Sequence, residues 1–70
     1  MKQIPVHTDF IRLDAFMKLC NMVGSGGEAK VLIQNGEVLV NGEVCTMRGK
    51  KLRCGDSISF HGEEAQVTAP

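Results

Sequence analysis

The sequence predicts an α+β domain in which two packed helices lie on a small, curved, mostly antiparallel sheet. Three observations carry that prediction. Leu13, Phe16, Met17 and Cys20 recur at i, i+3, i+4 and i+7, the spacing of one helix face. A second helical set, Ala29, Leu32 and Ile33, follows a serine-glutamate capping box at Ser25 and Glu28. After Gly36 the pattern changes to β-prone runs, and Asn41-Gly42 divides two of them as a tight hairpin turn does. The predicted order is β-α-α-β-β-β.

Taken from the N-terminus, residues 4–8 read as a short opening strand, which Pro5 restricts to an edge or a strand start. The first helix covers roughly residues 12–21. Asp14 complements the dipole in its first turn, and Gly24 closes the segment. Ser25 opens the second helix as N-cap, with Glu28 reaching back to a free N–H, and Gly36 sits where a left-handed C-terminal cap belongs. So short a connection makes the helices neighbours. Val38-Leu39-Val40 and Glu43-Val44-Cys45 form the hairpin, and Gly55-Asp56 marks another turn. Residues 57–60 and 65–68 read as later strands, with His61-Gly62 and Glu63-Glu64 between them.

Seventy residues, 43% of them hydrophobic, make a single domain over 1–70 with room for one small core. No apolar run approaches the ~20 residues that span a bilayer, and no signal-peptide pattern opens the chain. A cytoplasmic location without membrane contact is the expectation. Cys20, Cys45 and Cys54 are odd in number and widely spaced, which fits reduced thiols better than a disulfide framework. Cys20 falls on the helical apolar stripe and belongs to the core. There is no C-x-x-C, and His7 and His61 stand at no ligand spacing from a cysteine, so no metal site is expected. Ser25 is better explained as a cap than as a nucleophile. With no catalytic residue, metal or cofactor pattern, the expectation is a protein that is not an enzyme.

The eight basic and eight acidic residues cancel, but they are unevenly placed. Arg48, Lys50, Lys51 and Arg53 fall within six residues, and no acid lies between Glu43 and Asp56. Phosphate binding depends on local charge density. Segment 47–53 is read as a loop that either sets cations beside phosphates or is simply solvated. Gly26 and Gly27 offer bare N–H groups at a helix start, which attract anions; an ordinary cap explains them as well, and Glu28 favours that. Arg12, Lys18 and Lys30 either widen the cationic surface or are solvated singly. The only aromatics are Phe10, Phe16 and Phe60, with Phe16 on the core stripe, which disfavours base stacking.

Together these residues resemble a known family. Residues 11–18 (Ile-Arg-Leu-Asp-Ala-Phe-Met-Lys), Ser25-Gly26-Gly27-Glu28-Ala29-Lys30, Leu32-Ile33 and Gly36 are similar to the helical part of the ribosomal-protein-S-four-type RNA-binding domain. Val38, Val40-Asn41-Gly42, Lys50-Lys51-Leu52 and Gly55-Asp56 are similar to its hairpin and final turn. The resemblance runs from about residue 11 to 60, and the short chain is like the stand-alone bacterial members. It implies the alpha-L motif, two helices packed on a small sheet. It also implies binding to structured RNA, ribosomal or tRNA-like, with the ribosome or its precursors as wider partners. The expected contacts are Arg48, Lys50, Lys51 and Arg53 on phosphates, with Arg12, Lys18 and Lys30 widening the patch, in a monomer without cofactor. One position departs from the family pattern. Many members carry an arginine after the serine that opens the second helix, and here that position is Gly26. Either the other cations replace it, or backbone N–H groups at Gly26 and Gly27 grip a phosphate. A protein-interaction adaptor is the rival reading, favoured by zero net charge, the missing arginine and Glu63-Glu64.

Overall fold

The structure is a computed structural model that describes residues 1–70. Two helices, α1 (Leu13–Leu19) and α2 (Gly26–Gln34), pack on a five-stranded sheet of β1 (Lys2–Pro5), β3 (Val38–Val40), β4 (Glu43–Val44), β6 (Ser57–Phe60) and β7 (Glu63–Thr68). The sheet order is β1-β7-β6-β3-β4. A separate ladder joins β2 (Ile11–Arg12) to β5 (Lys51–Leu52). Every ladder is antiparallel except β1–β7. The predicted fold class therefore holds, with a second small sheet added.

Side-chain alternation explains the core. Val38 and Val40 point inward from β3, Ile58 from β6, and Ala65 and Val67 from β7, while their neighbours turn outward. Leu13, Phe16, Met17 and Cys20 meet this face from α1, and Ala29 and Ile33 meet it from α2. All of the predicted apolar stripe of α1 is buried. In α2, Leu32 is only partly buried against the same cluster.

Helix ends refine the expected boundaries. α1 stops at Leu19 because Asn21 takes a left-handed backbone, φ 60°. The Asn21 N–H donates to the Lys18 carbonyl and the Met22 N–H to the Met17 carbonyl, the paired bonds of a Schellman end. Asparagine tolerates this conformation, so the helix closes three residues before Gly24. α2 ends the same way at Gly36, φ 79°, as expected. At its start Ser25 Oγ accepts from the Glu28 N–H at 3.2 Å. The reciprocal arm lands one residue earlier than expected: Glu28 Oε1 accepts from the Gly24 N–H at 2.8 Å.

Both long hairpins turn through two residues of positive φ, as type I′ turns require. Asn41 (52°) and Gly42 (86°) join β3 to β4, and His61 (49°) and Gly62 (84°) join β6 to β7. The second turn was not expected to be so tight. Phe60 pairs with Glu63, so both glutamates lie in β7 rather than in a loop. The opening strand also differs: it lies at residues 2–5, parallel to β7 on the sheet edge, where Pro5 costs no needed donor.

Candidate nucleic-acid interface

The site starts from two short alternating runs. In Phe10-Ile11-Arg12 and Lys51-Leu52-Arg53 the middle residue is aliphatic and the flanking ones are not. Ile11 pairs with Leu52 and Arg12 with Lys51. Leu52 is fully buried and Ile11 packs against the core, so the ladder's other face carries Arg12 and Lys51 to the surface. Segment 47–53 was expected to be a loop; burial of Leu52 draws its second half into β5. Arg12, expected in the first helix, instead occupies β2 and caps α1 with extended backbone, φ −69° and ψ 148°.

Backbone bonds fasten the rest of the basic segment to the start of α1. The Leu13 N–H donates to the Lys50 carbonyl at 2.8 Å, and the Asp14 N–H to the Arg48 carbonyl at 3.1 Å. Two donors that every helix start leaves without a partner are thus satisfied by residues of the basic loop. The Arg12 guanidinium lies against Gly49, where an added Cβ would stand 3.7 Å from Nη2. At the other end, Asp56 holds the chain: one carboxylate oxygen accepts from the Arg53 N–H at 2.8 Å and the other from Asn41 Nδ2 at 3.1 Å.

This arrangement gathers several of the expected residues. Arg12, Lys18, Gly26 and Arg48 line one shallow cleft of about 440 Å³ with Asp14 and Ala15. Lys51 in β5 and Arg53 just after it adjoin the cleft, with Lys51 Nζ 4.8 Å and Arg53 Cζ 5.9 Å from the centre of the Phe10 ring. Lys50 points elsewhere, into the groove beside Glu43, Val44 and Met47. Lys30 is exposed on α2 one turn beyond Gly26 and does not line the cleft, and Gly27 is exposed beside Ser25. The expected set of nine therefore divides. Four residues share the cleft, two adjoin it, and Lys50, Lys30 and Gly27 stand outside.

Electrostatics favour an anion here. Arg12 and Lys51 face each other directly across the ladder, and like charges so placed destabilise a sheet. Only Arg12 among the lysines and arginines has a carboxylate partner, Asp14 Oδ2 at 3.1 Å. Asp14 also accepts the Ala15 N–H at 2.8 Å. Phe10, one of the three aromatics whose scarcity spoke against base stacking, is 39% exposed beside these cations, while Phe16 is fully buried. The period-two alternation of residues 10–12 and 51–53 was the available signal.

The cysteines lie outside this surface and are unpaired. Burial pushes the Cys20 thiol up from 9.0 to about 11, against a smaller opposing pull from Lys2. No three His, Cys, Asp or Glu side chains cluster so as to hold a metal ion, and no helix is long and apolar enough to cross a membrane.

A family model for the S4 domain matches residues 4–68. The chain is 42% identical over 59 residues to the candidate ribosome maturation protein RlbA of Bacillus subtilis, covering 84% of this chain and 83% of that one. It is 37% identical over 59 residues to YbcJ of Escherichia coli, a candidate RNA-binding protein, covering 84% of each. The solution structure of YbcJ superposes with a TM-score of 0.68 at 34% identity, over 97% of this chain and 85% of that one. That structure is described as revealing an alpha-L motif involved in RNA binding.

Proposed function

Because the chain belongs to the S4 domain family, we propose that it binds structured RNA through backbone phosphates and carries out no chemistry itself. The favoured ligand is ribosomal RNA or its precursor, met in the cytoplasm by a monomer. The observation that carries this reading is the run of cations Arg12, Lys18, Arg48, Lys51 and Arg53 along one cleft and its margin, with Asp14 the one carboxylate in the cleft. The motif described for YbcJ and the ribosome-maturation role attached to RlbA point to the same ligand class. Phosphate contacts of this kind fix position and orientation and carry little base information.

If five phosphates are neutralised, at about 0.7–0.9 per contact, log affinity falls against log salt with a slope of about −4. Titration of a folded ribosomal RNA fragment at several salt concentrations measures it. The double change Arg48→Ala/Lys51→Ala should weaken binding and flatten the slope by about 2. Binding that ignores both salt and the double change would reject the assignment.

A protein-docking adaptor is the second reading, favoured by exposed Leu19 and Val31 on the two helices. A partner retained through nuclease treatment and high salt would support it.

A further inference from the structure

We propose that Phe10 is a stacking platform for one unpaired nucleobase of the bound RNA, with Lys51 and Arg53 meeting the phosphates beside that base. The inference rests on the RNA-binding reading above and adds a feature of the ligand: an unstacked nucleotide at the edge of a helical segment.

The argument begins with what Phe10 does not do. Phe16 fills the core, and Phe60 packs partly against it while stacking on His61 at 4.2 Å. Phe10 belongs to neither arrangement. It precedes β2 in the alternating run, and its ring stands among cations at a surface exposure of 39%. The ring is only partly covered where it stands, so its open part remains available to a partner.

The surroundings specify the partner's chemistry. Lys51 Nζ at 4.8 Å and Arg53 Cζ at 5.9 Å lie within cation–π range of the ring. The two cations lie over the ring, so a base that stacks there takes their place as they move out to the phosphates beside it. An apolar peptide side chain would use the ring but not the cations. Bases inside a duplex have both faces covered by neighbours, so only a bulge, loop or helix end presents a free one. Continuity with the cleft completes the placement. Arg12 sits two residues from Phe10 on β2 and faces Lys51 across the ladder, so a backbone that follows Arg48 and Arg12 arrives at the ring. Stacking of this type tolerates any base, and recognition here is of an unpaired nucleotide rather than of a sequence.

The test uses the full chain and two RNA hairpins that differ only in one bulged 2-aminopurine, present in one and absent from the other. The bulged hairpin should bind about fivefold to a hundredfold more tightly, the range that base–aromatic stacking supplies, and its fluorescence should be quenched on binding. Phe10→Leu should abolish both the preference and the quenching, while Phe10→Tyr should keep them. Thermal melting of each variant checks that the fold is intact. Equal, salt-sensitive binding of both hairpins, unchanged by Phe10→Leu, would overturn the stacking platform and leave phosphate binding standing. Failure of both hairpins to bind at low salt would overturn the RNA reading and this inference together.

Discussion

Restoring the family's arginine at position 26 should tighten RNA binding. Gly26 opens α2 and lines the cleft with Arg12, Lys18 and Arg48. A Cβ added there meets nothing within 4 Å, and Gly26 is not among the residues of positive φ. The Gly26→Arg change therefore introduces neither a clash nor backbone strain. Its effect on folding is small because two contributions oppose each other. Removing a helical glycine stabilises by up to about 1 kcal/mol. A cation at a helix N-terminus costs about 0.3–1 kcal/mol, and three neighbouring cations add to that cost. The expected gain on RNA is one phosphate contact, about 1 kcal/mol or roughly fivefold at low salt, with a salt slope steeper by about 0.9.

Fluorescence anisotropy of a folded ribosomal RNA fragment at matched salt concentrations reads both quantities, and Gly26→Gln separates added bulk from added charge. Unchanged affinity and slope in a folded Gly26→Arg variant would refute the claim that this end of the cleft faces RNA. Weaker binding would mean that the backbone N–H groups of Gly26 and Gly27 already hold a phosphate that the new side chain displaces.

The remaining predictions are briefer. Arg48→Ala should lower RNA affinity and reduce the salt slope by about 1, whereas Lys50→Ala, which lies in the neighbouring groove, should leave both nearly unchanged in the same titration. Ser25→Ala removes the side-chain acceptor for the Glu28 N–H and should cost about 0.5–2 kcal/mol by urea unfolding. Leu52→Ala should cost about 2–5 kcal/mol, because a fully buried side chain is lost, and it should also weaken RNA binding by loosening β5. The Cys20 thiol is raised from 9.0 to about 11 in the folded protein, so its contribution to stability is intact below pH 9 and lost as pH climbs towards about 11. Urea unfolding across that interval should show the decline, and Cys20→Val should flatten it.

The helices and the first hairpin were legible in the sequence because each depends on contacts between near neighbours. A capping box, a Schellman glycine and an Asn-Gly turn all act within a few residues, and Ser25, Gly36 and Asn41-Gly42 stand where expected. Misplaced features came from less typical residues in the same roles. Asn21 ends α1 in the conformation expected of a glycine, and His61 enters a type I′ turn usually opened by asparagine or aspartate. Parallel pairing of β1 with β7 brings together residues from the two ends of the chain, which no local pattern encodes. For the interface, the acid-free basic segment was visible, but its division was not. A loop and a strand distribute side chains differently. Only the pairing of Leu52 with Ile11 turns Lys51 and Arg53 towards Phe10 while Lys50 faces the other groove.

Overall neutrality and a cationic cleft coexist in part because four of the eight acids are committed to the fold. Glu28 caps α2 through the Gly24 N–H, Asp56 ties the Arg53 backbone to Asn41, and Glu37 pairs with His61 at 2.7 Å. Asp14 caps within α1 while steadying Arg12. Each of these carboxylates satisfies a backbone or turn donor, and three of the four do so without meeting a lysine or arginine. The bases are left with a single ion pair among them, so their charge stays available at the surface. Of the four, only Asp14 holds a backbone N–H and a guanidinium at once. The balance that makes the chain neutral as a whole therefore leaves the cleft positive where Arg12, Lys18 and Arg48 converge.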